Sequence, residues 1–109
     1  MKLDVLFVNP GNASGIYQSL AKDYSAIETP TWSLLLASSC RSKGYKVAIL
    51  DVNAERLSDT EASKKILTLN PRLIALVVYG QNPNAGSVNM RGAINLANEI
   101  KKNNPNSII

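Results

Sequence analysis

The sequence predicts an α/β fold, an open parallel sheet with helices on both faces. Three observations carry this expectation. Short β-rich apolar runs alternate with segments of helical spacing along the chain, and such alternation builds parallel sheets with right-handed crossovers. The run from Leu73 to Tyr79 is apolar at every position, as in a strand covered on both faces. The chain has 109 residues, 45% of them hydrophobic, which suits one domain with one modest core.

The first predicted strand is Leu3 to Val8, stopped by Asn9-Pro10-Gly11. A connection follows from Asn9 to Glu28. Connections in α/β units usually take about two to six residues, so one this long reads as functional. The first helix has clear punctuation. Thr29 suits the N-cap, Pro30 the first helical position and Gly44 the C′ position. Trp32, Leu35, Leu36, Ser39 and Cys40 recur at helical spacing. Cys40 reads as a small buried apolar residue. As the only cysteine, it cannot close an intrachain disulfide.

The second strand is Lys46 to Leu50, ending at Asp51, and 52–57 read as a loop. Ser58-Asp59-Thr60-Glu61 has the form of a capping box. Behind it Ala62, Ile66 and Leu69 turn inward, and Asn70-Pro71 stops the helix. The third strand is Leu73 to Tyr79, read as central. A polar loop from Gly80 to Gly86 follows, then a helix beginning near Ser87. Its inner stripe is Met90, Ala93, Ile94, Ala97 and Ile100, and Asn103-Asn104-Pro105 ends it.

Ser107-Ile108-Ile109 look like the start of a fourth strand. A natural chain seldom stops inside a β-branched core strand, so residues 1–109 are expected to be one domain at the N-terminus of a longer protein. The full pattern is β-α-β-α-β-α-β. It implies a flavodoxin-like or Rossmann-like sheet of order 2-1-3-4 with the last strand truncated.

Composition excludes several functions. Histidine is absent, which removes histidine acid–base catalysis and histidine metal sites from this chain. One cysteine excludes a zinc knuckle or an iron–sulfur cluster. No run approaches the roughly 20 apolar residues of a membrane span. No signal peptide is evident, because Asp4 interrupts the start. A cytoplasmic location is the expectation. The net charge of +4 raises the question of nucleic acid. However, the basic residues cluster at helix ends, as Lys101-Lys102 do, with no interleaved aromatics. That is the pattern of a solvated surface, and no nucleic-acid partner is expected.

In open α/β sheets ligands sit outside the carboxyl ends of the strands, at the switch point. Here that point lies between the first and third strands. Asn9, Pro10 and Gly11 end the first, and Tyr79, Gly80, Gln81 and Asn82 end the third. Thr29 and Thr31 open the first helix on the same edge, with Asp51 and Asn53 beside it. This edge offers amides, hydroxyls and small residues, with few charges. There is no G-x-G-x-x-G after the first strand and no G-x-x-x-x-G-K-[ST]. A phospho-receiver would need acidic residues after the first strand and an Asp after the third. The chain has Asn9-Pro10 and Tyr79-Gly80 there.

Taken in order, the runs Val5-Leu6-Phe7-Val8-Asn9-Pro10, Thr29-Pro30-Thr31-Trp32-Ser33-Leu34-Leu35-Leu36-Ala37 and Gly44-Tyr45-Lys46-Val47-Ala48-Ile49-Leu50-Asp51 form a pattern. It resembles the N-terminal cobalamin-binding domain of cobalamin-dependent radical S-adenosylmethionine enzymes. Asn70-Pro71-Arg72-Leu73, Asn82 to Ala85 and Ala97 to Lys102 also fit. The resemblance implies a Rossmann-like domain holding cobalamin over the carboxyl edge, beside a radical domain of the same full-length chain. Asn9, Pro10 and Gly11 would approach the corrin or its side amides. Thr29 and Thr31 would line the first-helix entrance, Asn53 would belong to the cofactor-binding set, and Tyr79, Gly80, Gln81 and Asn82 would flank the nucleotide tail.

The D-x-H-x-x-G motif of mutases and methionine synthases is absent, so no histidine of this chain would ligate cobalt, as is common in radical members. The C-x-x-x-C-x-x-C motif is absent too. S-adenosylmethionine and a 4Fe–4S cluster would belong only to the part beyond Ile109, and the piece in hand has no catalytic centre of its own. The expected function is a corrinoid-binding module of a methyltransferase-like radical enzyme. The alternatives are a cofactor-free structural or interaction domain of the same fold and a nucleotide-binding α/β domain.

Overall fold

A computed structural model describes residues 2–10, 31–78 and 83–109, the side chains of 83–89 excepted. The described chain is mixed α/β. Its elements in order are β1 (Val5–Asn9), α1 (Thr31–Ser42), β2 (Val47–Asp51), α2 (Val52–Glu55), α3 (Asp59–Leu69), β3 (Leu73–Leu76) and α4 (Pro83–Asn103). The three strands form one parallel sheet of order β2-β1-β3.

Pairing fixes which side chains share a face. Leu6 lies between Ala48 and Ile74, and Val8 between Leu50 and Leu76. Side chains alternate along a strand, so this set faces one way. Leu6, Val8, Leu50 and Ile74 join Ala62 and Ile66 of α3 and Leu96 and Ile100 of α4 in one buried cluster. Phe7, between Ile49 and Ala75, faces the other way. There α1 packs on β1 and β2 and buries Ser33 and Ala37. Among the described residues α3 and α4 cover one face and α1 packs on the other. The apolar run of β3 predicts burial on both faces, yet within Leu73–Leu76 only Ile74 is fully buried and Leu73 is 39% exposed.

Strand bounds differ from the expected ones at their ends. β1 starts at Val5 and includes Asn9, and β2 runs from Val47 through Asp51. β3 stops at Leu76, although the Val77 N–H still donates to the Val8 carbonyl at 2.9 Å.

The helices show clearer corrections. Residues 52–55, expected as loop, form the short helix α2, because the Asp51 side chain caps it. α4 begins at Pro83 rather than near Ser87, and proline suits a first helical turn. On α1 the stripe Trp32, Leu35, Leu36 turns outward, at 54%, 58% and 45% exposed. The inward set is Ser33, Ala37 and half-buried Cys40, the same helical spacing displaced by one residue. Small side chains there let the helix lie close to the sheet. On α4 the inward set is Ala93, Leu96 and Ile100, while Met90 and Ile94 are exposed. On α3 the buried residues are Ala62, Ser63 and Ile66, while Leu69 is exposed.

Several expectations hold. Gly44 follows α1 with φ +92°, a conformation that L side chains rarely adopt. Ser58 and Glu61 form the reciprocal capping box at the start of α3, and Asn70 closes that helix in the left-handed conformation.

Asp59, the first residue of α3, carries a carboxyl raised above its ordinary value. Partial burial is the larger cause and the charge of Glu99 the smaller. The folded chain thus holds this proton more tightly than the unfolded one. The resulting stabilisation is fully present below the ordinary value of 3.8 and is lost as pH rises through the raised value. Glu99→Gln is expected to bring the Asp59 midpoint part-way back, since burial remains. Carboxyl NMR titration checks this, and an unmoved midpoint would discount Glu99.

Candidate functional site

The carboxyl edge of the sheet is built by the ends of β1 and β2. Asn9 and Asp51 are register partners there. The Asn9 carboxamide donates from Nδ2 to Asp51 Oδ1 at 2.9 Å. The same oxygen accepts from the Ala54 N–H at 3.0 Å, which caps α2. One carboxylate oxygen therefore ties two strands and the following helix together. Pro10, directly after Asn9, is buried and has no N–H to extend the ladder. Glu55, the last residue of α2, pairs with Lys65 of α3 at 2.6 Å, with both side chains nearly half exposed. Such a pair contributes little to stability.

The structure brings Asn9 and Pro10 together at this edge with Asp51. Asn53 lies two residues further on, in α2, exposed, with its carbonyl accepting from the Arg56 N–H. Thr31 is exposed at the first turn of α1. The crossover from β1 to β2 puts that end of α1 on the carboxyl side. Gly11, Thr29, Tyr79, Gly80, Gln81 and Asn82 lie outside the described residues, as does the connection from Gly11 to Glu28.

The sequence points to Asn53 for the site and sets Asp51 beside it, whereas in the structure Asp51 ties the edge together. The signal was present: an acidic residue ending a strand, three before an amide it can cap, is an N-cap pattern.

Chemically the described edge offers a carboxamide, a carboxylate and a hydroxyl. Among the described residues no group of three or more His, Cys, Asp or Glu could hold a metal ion. No described helix is long and apolar enough to cross a membrane. An open groove of about 420 Å³ lies at the opposite, amino end of the sheet, lined in part by Lys2, Asn70, Arg72 and Asn104. Ligands of open α/β sheets bind at the carboxyl end, so this groove is set apart from the site. Comparison with protein-family models, with curated proteins and with solved structures finds no match to this chain.

Proposed function

We propose that this domain binds a corrinoid, cobalamin, at the carboxyl edge of its sheet, as the cofactor-binding module of a radical S-adenosylmethionine enzyme. One observation carries the reading. β1 sits between β2 and β3 with Asn9-Pro10 at its end, so the crossovers diverge at an edge whose described residues present neutral polar groups beside one carboxylate. A corrinoid held through its peripheral amides needs such groups and no protein ligand to cobalt, and the chain has no histidine. Cobalt chemistry would come from the bound cofactor. Asn9, Pro10 and Thr31 would orient it, with Gly11, Thr29, Asn53, Tyr79, Gly80, Gln81 and Asn82 completing the set.

The sheet order in this reading is 2-1-3-4. It is supported by the Ile74 N–H donating to the Ile108 carbonyl at 2.9 Å, on the side of β3 away from β1. The radical domain, S-adenosylmethionine and the 4Fe–4S cluster belong to a longer chain in this reading. Hydroxocobalamin mixed with the chain is expected to shift its visible spectrum and to co-elute on gel filtration. Free elution of the corrinoid from the folded protein would overturn the proposal.

A second reading, a cofactor-free interaction domain, is favoured by the exposed stripe Trp32, Leu35 and Leu36 on α1. It predicts no retention of the corrinoid in the same experiment.

A further inference from the structure

We infer that Asp51 sets the ligand chemistry accepted on the β1–β2 side of this edge: a neutral hydrogen-bond donor, an amide N–H or a hydroxyl, and not a phosphate. The inference rests on the ligand reading above and concerns a residue outside its binding set. Asp51 Oδ1 is engaged by Asn9 Nδ2 and by the Ala54 N–H. Oδ2 has no hydrogen-bond partner among the described residues, and an ionised carboxylate only accepts.

No cation offsets this charge among the described residues, where the one ion pair is Lys65–Glu55. Arg56, five residues beyond Asp51, caps the end of α2 and makes no ion pair among the described residues. With four residues, α2 is too short to act as an anion site. A donor placed at Oδ2 gains a charge-assisted bond. A phosphate placed there meets a like charge that no described cation offsets, which rejects it. The amides around a corrin ring are donors of the accepted kind. In the reading above, the phosphodiester of the nucleotide tail lies on the other side, at the end of β3.

Asp51→Asn tests this, because it removes the charge while leaving an oxygen that can still take both existing hydrogen bonds. The probes are cobinamide, which carries the corrin amides without the phosphate tail, adenosine, and adenosine monophosphate. Wild type is expected to bind cobinamide about 10-fold more tightly than the variant, the scale of one hydrogen bond to a charged group. The variant is expected to gain on adenosine monophosphate relative to adenosine. Circular dichroism melting of both proteins checks the fold.

Equal cobinamide affinity in the two proteins would overturn the inference and leave the corrinoid reading standing. A wild type that ignores cobinamide, prefers adenosine to its monophosphate and loses that preference in Asp51→Asn would overturn the corrinoid reading and support the inference. Binding of none of the three probes would overturn both.

Discussion

Ile66→Ala is expected to cost about 2–5 kcal/mol of unfolding free energy, the range for truncating a large aliphatic side chain in a packed core. Ile66 is fully buried on α3 and touches the cluster that includes Leu6 and Val8 of β1 and Leu96 and Ile100 of α4. The truncation leaves a cavity where three elements meet, so no single helix can shift to fill it. Typical domains hold only about 5–15 kcal/mol in total, and this loss is a large share. Leu35→Ala makes the contrast. Leu35 is 58% exposed on α1, and its truncation is expected to change stability by about 0.5 kcal/mol or less. Urea unfolding of both variants measures the pair. A larger loss at Leu35 than at Ile66 would mean that α1 presents its apolar stripe to the sheet.

Asn103→Ala is expected to cost about 1–3 kcal/mol, because it strips a partner from a buried hydroxyl. Asn103 Nδ2 donates to Ser63 Oγ at 3.0 Å, joining α4 to α3 across 40 residues of sequence. Ser63 is 0% exposed, so its hydroxyl depends on protein partners while the Asn103 side chain covers it. If the hydroxyl turns back to its own helix backbone, the loss falls at the low end of the range. Adding Ser63→Ala should recover most of the loss, since removing both partners avoids a stranded polar group. Chemical denaturation of the two single variants and the double variant measures this coupling. Strict additivity would show that the two side chains act independently.

Much of the architecture was legible because it rests on local signals. Apolar runs bounded by turn residues located all three strands. Gly44, Ser58, Glu61 and Asn70 announced helix ends through backbone chemistry that needs no tertiary context. Helix faces were less legible. On α1 two stripes of helical spacing lie side by side, Trp32-Leu35-Leu36 and Ser33-Ala37, and Cys40 borders both. Hydrophobicity favours the first, while close approach to a sheet favours the second, and only packing decides. Ser63 was invisible for a related reason, since it is covered where α3 packs on α4 and its partner Asn103 lies far along the chain. At the site, Asn9 and Pro10 were placed by the strand they end. The role of Asp51 depended on a cross-strand register that sequence does not print.

The central position of β1 also bears on how the chain comes to be folded. Among the described strands β1 comes first in chain order, and it pairs with no near neighbour. Its partners begin at Val47 and Leu73, and even Asn9 and Asp51 are separated by 42 residues. Every ladder in the sheet must close a long loop before its contacts repay the lost entropy. During synthesis Leu6, Phe7 and Val8 therefore wait with both backbone edges unpaired, an interval in which holdase chaperones or premature association can compete with folding.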